Sequence, residues 1–485
     1  MVFQSYVFLL LFLIALLGYY LLGRLGAARG QRLWLLAVCL VFYGWGAPKG
    51  LVLLLLECAF SYLLGRAILR LPQRRKLLLA VGAAGLLAVL LRFKYASFFL
   101  SNLNALTGQT HTLTALALPL GLSFLTFQQL LYLRDCAAGN APRLSPLDYA
   151  LFLCLFCTVS SGPITRAGEM TPQLHPIQAR RFDWGNLSAG LYCFSLGLFK
   201  KVLIADTFAG AVTYGWDNLA TLTTPTAAFA MLAYTFQLYF DFSGYCDMAA
   251  GLAKMLGLSL PVNFDSPYRA VSVGDFWKRW HITLSRFFRL CIYIPLGGNR
   301  KGTPRTCLNI FLIYLISGLW HGAGWTFLLW GALHGAAMVL DRLFRGKVRL
   351  PKFFGWLFTF IFVNITWVYF RAPSLAAGNQ MLSRLFSLSF ALPDAGFTGS
   401  LLLPEFTTLL NLLAASLPRL AHQLTRGLPL LLFPLALALT LLVQNPVRQM
   451  QEFKPTAKKA LVSVAALCWS VVSLANVGTF LYVNF

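Results

Sequence analysis

MVFQSYVFLLLFLIALLGYYLLGRL, residues 1–25, meets its first charged side chain only at Arg24. The stretch lacks the basic start and small-residue cleavage site of a secretory leader, and its apolar part is too long for a leader core. It reads as a retained membrane span near 5–23. Runs of comparable character follow near 33–46, 50–69, 77–99, 115–133, 186–208, 226–246, 353–371, 427–444 and 460–482. A helix needs about 20 apolar residues to cross a bilayer. The pattern predicts an all-α polytopic integral membrane protein with about 10–12 transmembrane helices, supplemented by re-entrant and interfacial helices. Neither an internal repeat nor a flexible linker divides residues 1–485, so a single membrane domain is expected.

Composition points the same way. Of the residues, 58% are hydrophobic and 11% charged, against about 45–50% and 25% in soluble proteins. No soluble fold hides so much apolar surface, so lipid must solvate part of it. The 40 Lys and Arg against 15 Asp and Glu would suggest nucleic acid in a soluble chain. In a membrane protein the excess belongs to cytoplasmic loops, and no nucleic-acid partner is expected. Cys154 and Cys157 form a C-x-x-C inside an apolar run with no second pair, and no H-E-x-x-H occurs. They read as core residues, and no metal site is expected.

Charge sets the orientation. Arg24, Arg29 and Arg32 separate the first two spans, and Arg66 to Lys76 the third and fourth, whereas 100–114 is uncharged. The positive-inside rule puts loops 24–32 and 66–76 in the cytoplasm and 100–114 outside. It also puts 372–426 and both termini outside and 445–459 inside, as expected for a multi-pass membrane protein. The run 149–163, YALFLCLFCTVSSGP, is short and ends in Ser-Ser-Gly-Pro, with Arg166, Arg180 and Arg181 beyond it. A re-entrant hairpin keeps both flanks cytoplasmic. Lys200 and Lys201 interrupt 186–208, either snorkelling or lining a cavity.

Residues 262–305 carry eight Lys or Arg interleaved with Trp277, Trp280, Phe287, Phe288 and Tyr293. They read as amphipathic helices at the cytoplasmic interface. Region 307–340, with basic flanks on both sides, is too long for one helix. Two short helices meeting near Leu319-Trp320-His321-Gly322-Ala323-Gly324 satisfy both length and charge, and they put His321 at a Gly-rich turn deep in the membrane.

An intramembrane histidine is a functional hypothesis by default. A neutral imidazole accepts a proton from an alcohol, and the flanking glycines leave room for a substrate or another backbone. The bland alternative is a hydrogen-bonded core histidine. His281 is open to three readings: orienting His321, contacting a donor, or capping local structure. His334 either lines the same cavity or packs. Asp241 and Asp247 either pair with Lys or Arg or bound a polar cavity; pairing is preferred for Asp247, and Asp241 is kept as a candidate donor-site residue. No G-x-S-x-G, P-loop or dinucleotide fingerprint occurs, which argues against serine-hydrolase, ATPase or Rossmann chemistry.

Several stretches in order resemble one family. They are PLGLSFLTFQQLLYLRD (119–135), SGPITRAGEM (161–170), GLFKKVLIAD (197–206), QLYFDFSGYCDMAAGLAKMLG (237–257), NFDSPYRAVSVGDFWKRWHITLSRF (263–287), YIPLGGNRKGT (293–303) and SGLWHGAGWTFLLWGALHG (317–335), with FLYVNF at the C-terminus. The chain resembles the membrane-bound O-acyltransferases (MBOAT), in the bacterial branch of alginate O-acetylation and teichoic-acid D-alanylation, with a family core near 119–340. It departs from the alginate pattern at Leu290 and Gly324.

The resemblance implies helices around a central tunnel, catalytic roles for His321 and His281, and donor or substrate binding by Arg166, Arg300 and the neighbouring Glu169. It implies no tightly bound cofactor. The donor would be acetyl-CoA or a carrier-protein acyl thioester, and the partner a periplasmic SGNH-type acetyltransferase delivering to a polysaccharide. The implied reaction moves an acyl group, expected to be acetyl, onto a polysaccharide hydroxyl, with His321 as base or covalent relay. A transporter or polymer-export channel is the competing class, since broken helices also mark transporters; it would show paired half-sequences.

Overall fold

The computed structural model describes residues 1–114, 116–175, 179–347, 350–476, 478 and 481, and every regular element among them is helical. Most of the FLYVNF motif lies outside the described residues. Helices α1 (Tyr6–Arg24), α2 (Ala28–Gly44) and α3 (Pro48–Arg70) come first. Then α4 (Arg75–Leu90) passes through a π-helical turn, Leu91–Tyr95, into α5 (Ala96–Thr107). α6 (Leu122–Ala137), α7 (Pro146–Cys154), α8 (Phe156–Val159) and α9 (Ala167–Leu174) follow. α10 (Trp184–Phe199) continues through a second π turn, Lys200–Ala205, into α11 (Asp206–Asp217). Next come α12 (Thr224–Met255), α13 (Val273–Arg279), α14 (Ile282–Phe288), a third π turn at Arg289–Tyr293, α15 (Gly302–His321), α16 (Trp325–Phe344) and α17 (Lys352–Arg371). Shorter helices lead to the last long one, Ala457–Val472.

Starts are set by hydroxyl caps. Ser5, Ser145 and Thr223 accept from the amides of Phe8, Asp148 and Thr226, satisfying donors that the first helical turn leaves unpaired. Among the described residues, seven helical stretches are long and apolar enough to cross a bilayer: α1, α3, Pro72–Thr107, Trp184–Asp217, α16, α17 and Pro418–Leu442. The chain is a multi-pass membrane protein. α2 and the helix Ala457–Val472 have 17 and 16 residues. α12 has 32 residues, about 48 Å at 1.5 Å per residue, and its side chains are nearly all buried by neighbouring helices. Protein rather than lipid surrounds that span.

α10 reaches α12 along a seam of glycines. A Cβ on Gly197 would lie 2.7 Å from the Gly244 carbonyl, and one on Gly251 2.6 Å from that of Gly190. Small residues let the two backbones touch, the usual means of helix association in lipid. The contact draws the π turn onto α12. Both lysines are held in ion pairs: Lys200 pairs with Asp247 at 2.6 Å and lines a small cavity of about 140 Å³, and Lys201 pairs with Asp206 at 2.7 Å and Asp241 at 2.8 Å.

The run 149–163 folds as the short helices α7 and α8, broken at Leu155 and buried at every position except Ala150, which is half-buried. Neither is long enough to cross. The basic segment 262–305 forms α13, α14 and the third π turn, but its aromatic face meets protein instead of lipid. Trp280 packs on Trp367 at 5.0 Å, and Phe287 stacks on Phe127 at 3.9 Å. Region 307–340 differs from the expected pair of short helices. α15 and α16 have 20 residues each, about 30 Å, and lie as an antiparallel hairpin. Their glycines serve that packing: a Cβ on Gly318 would meet the Phe327 carbonyl at 2.3 Å.

Candidate active site

His321 is the last residue of α15, and the chain turns back through extended Gly322 and Gly324 into α16. A Cβ at Gly322 would sit 2.1 Å from the Phe327 ring. The space predicted beside this glycine is therefore filled by an aromatic side chain. Around the imidazole stand Trp320 at 4.8 Å, Phe370 at 5.1 Å and Trp330 at 5.2 Å between ring centroids, and His321 is 2% exposed.

A helix end leaves backbone carbonyls without intrahelical partners. Here α4–α5 supplies donors from its π turn. Lys94 Nζ donates to the Trp320 carbonyl at 2.5 Å, and Tyr95 Oη to that of Leu319 at 2.9 Å. The ammonium also lies 5.5 Å from the Trp320 ring. Lys94 was not singled out from sequence. Its signal was a basic pair, Arg92 and Lys94, inside the apolar run 77–99.

His281 occupies the turn between α13 and α14 in a left-handed conformation, φ 46° and ψ 54°. It is fully buried, and its Nδ1 lies 3.2 Å from Asn263 Oδ1. That oxygen also accepts from the amide and hydroxyl of Thr283 at 3.2 and 2.9 Å, clamping the turn. His281 Nε2 has no hydrogen-bond partner among the described residues. The Trp320 indole contacts both histidines, lying 6.3 Å from His281. His334 packs: Trp277 Nε1 donates to its Nδ1 at 3.2 Å, which makes Nε2 the donor to Thr366 Oγ1 at 3.0 Å.

A cleft of about 170 Å³ opens among α14, the third π turn and α15. Trp277, Ser285, Phe288, Arg289 and Tyr293 line it, and it reaches Ser317, one helical turn before His321. Arg289 brings a cation to this cleft and was not among the predicted binding residues. Arg300 is exposed on the following turn and is not part of the lining. His321 is enclosed by these aromatic rings, and the lining of the cleft includes Ser317 but not the imidazole.

Arg166 and Glu169 come close together but engage other partners. Arg166 Nε pairs with Asp135 at 2.9 Å, and Arg134 holds the other oxygen of that carboxylate at 2.9 Å. Glu169 pairs with Arg286 at 2.7 Å. These contacts tie the segment after α8 to α6 and α14. Asp241 is not in an open donor site; it lies buried against Lys201 and accepts from the Leu481 amide at 3.0 Å. Burial drives this, since an unpaired carboxylate inside a membrane protein is costly.

Comparison with known proteins fits the sequence pattern. A peptidoglycan O-acetyltransferase of Helicobacter pylori is 39% identical over 423 residues, 80% of each chain. A probable alginate O-acetylase of Pseudomonas aeruginosa is 40% identical over 401 residues, 80% of this chain and 75% of that one. A teichoic acid D-alanyltransferase of Bacillus subtilis is 28% identical over 251 residues, 49% of this chain and 62% of that one. The profile of the membrane-bound O-acyltransferase family matches residues 77–380. With that match and relatives near 40% identity across four-fifths of its length, the chain is an acyltransferase that belongs to the membrane-bound O-acyltransferase family.

Proposed function

We propose that the chain moves an acetyl group from a thioester donor to a hydroxyl of an extracytoplasmic polysaccharide, with His321 as the base. The placement of His321 carries this reading: it ends α15 at a turn whose carbonyls are held by Lys94 and Tyr95, one helical turn beyond a cleft bearing Arg289. The two relatives near 40% identity are named as O-acetyltransferases of peptidoglycan and alginate, which supports acetyl as the group and a polysaccharide as the acceptor.

In the direct route, imidazole takes the hydroxyl proton as the alcohol oxygen attacks the thioester carbonyl. The carbon–sulfur bond breaks, and the proton passes to the thiolate, leaving a free thiol and a neutral imidazole. In the relayed route the acetyl group rests first on a protein atom and then moves to the acceptor. Both routes need the donor's acyl arm to advance from Ser317 to His321, so the rings between them must shift. The donor is acetyl-CoA or a carrier-protein thioester, entering from the basic cytoplasmic face. A periplasmic SGNH-type partner completes delivery, in an inner membrane with both termini outside.

Purified protein supplied with radiolabelled acetyl-CoA and an acceptor glycan tests the reading. His321→Ala should insert normally and transfer nothing. Transfer by that variant at the native rate would remove His321 from the chemistry.

A further inference from the structure

Leu63, Arg66 and Arg70 follow at helical spacing near the end of α3 and so share one face. Arg143, in the segment before α7, approaches the same place. The three exposed arginines rim a cleft of about 520 Å³ whose floor includes Tyr62 and Tyr132, and no carboxylate lines it. Arg66 lies over the Tyr62 ring at 5.8 Å. Arginines elsewhere have acidic partners, Arg32 with Asp148 and Arg166 with Asp135 among them. None of Arg66, Arg70 and Arg143 takes part in an ion pair among the described residues. Three uncompensated cations around one concavity call for an anion.

The neighbouring surface specifies which kind. In line with Arg70 at seven-residue spacing along α3 stand exposed Leu63 and Leu56, with partly exposed Phe60 beside them, in a helix apolar enough to cross a bilayer. A ligand complementary to both parts carries a phosphate at one end and hydrocarbon at the other. We propose that this cleft holds the headgroup of an anionic phospholipid, with its phosphate among Arg66, Arg70 and Arg143 and its acyl chains along Leu56, Phe60 and Leu63. Guanidinium groups suit phosphate because their planar fork matches two of its oxygens, and basic pockets between membrane helices are favourable sites for such headgroups. The proposal is independent of the transfer reaction.

The test is native mass spectrometry of the full chain in mild detergent, titrated with phosphatidylglycerol or phosphatidylcholine. Wild type should retain phosphatidylglycerol preferentially. Each arginine replaced by alanine should weaken that retention by roughly fivefold, and R66A/R70A/R143A should abolish the preference. Equal retention of the two lipids by wild type overturns the proposal without recourse to any variant. Undiminished preference in both R143A and R66A/R70A does the same. Millimolar inorganic phosphate that displaces phosphatidylglycerol completely would mark a site for soluble anions and overturn the lipid assignment.

Discussion

Lys94 Nζ donates a 2.5 Å hydrogen bond to the backbone carbonyl of Trp320, a residue 226 positions later in the chain. The bond joins the π turn after α4 to the last turn of α15 and fixes the peptide preceding His321. Replacing Lys94 by Met should lower transfer by about 10- to 100-fold through misplacement of the imidazole. The donor KM should stay unchanged, and Lys94→Arg should recover part of the rate. A variant with native kcat and a lowered melting midpoint would show a helix cap and nothing more. The measurement is steady-state transfer by purified protein.

His281 poses a backbone question as well as a chemical one. Its φ of 46° is tolerated by Asn and resisted by β-branched residues. His281→Asn should keep the native melting midpoint more closely than His281→Val, which adds a strain cost of about 1–3 kcal/mol. Both should lose transfer activity, since both remove the ring that packs on Trp320. Thermal unfolding in detergent compared with turnover separates the two effects; full turnover by His281→Asn would make the imidazole dispensable.

Lys201 stands between Asp206 and Asp241, and all three side chains are largely buried. Lys201→Met leaves the carboxylates without their cation and should cost about 3–5 kcal/mol, seen as reduced membrane abundance and melting midpoint. Asp241→Asn should be milder, because an amide still accepts from Lys201. Protein that survives with Asp241→Asn should show a native KM for the thioester. A raised KM with normal stability would return Asp241 to the donor site.

Asp148 gives acid sensitivity a location. Burial pushes its carboxyl up, but hydrogen bonds from Ser145, Arg32 and His175 outweigh that effect and hold it below the ordinary value. A depressed folded-state pKa contributes stability above the unfolded value, about 3.9 for Asp. That contribution is lost as pH falls through the lower folded value. The wild-type melting midpoint should therefore drop as the medium is acidified from about pH 5. Asp148→Asn should be less stable at neutral pH and flatter through the acid range. Parallel curves for the two proteins would place the sensitivity elsewhere.

The linear chain alone established an all-helical membrane protein, its main apolar runs and the family, and it singled out His321 as a candidate. Those features depend on local composition and on short ordered motifs, which need no partner to be read. Tertiary structure decided what each polar residue faces. Lys94 reaches Trp320, Lys201 reaches Asp241 and Arg166 reaches Asp135 across long sequence separations, and such pairings depend on which helices pack together. It also decided that α15 and α16 are full-length helices closed by glycine contacts, and that aromatic rings enclose the imidazole. Apolar periodicity records that a side chain avoids water; whether lipid, a neighbouring helix or an open passage takes the water's place is settled only when the helices assemble.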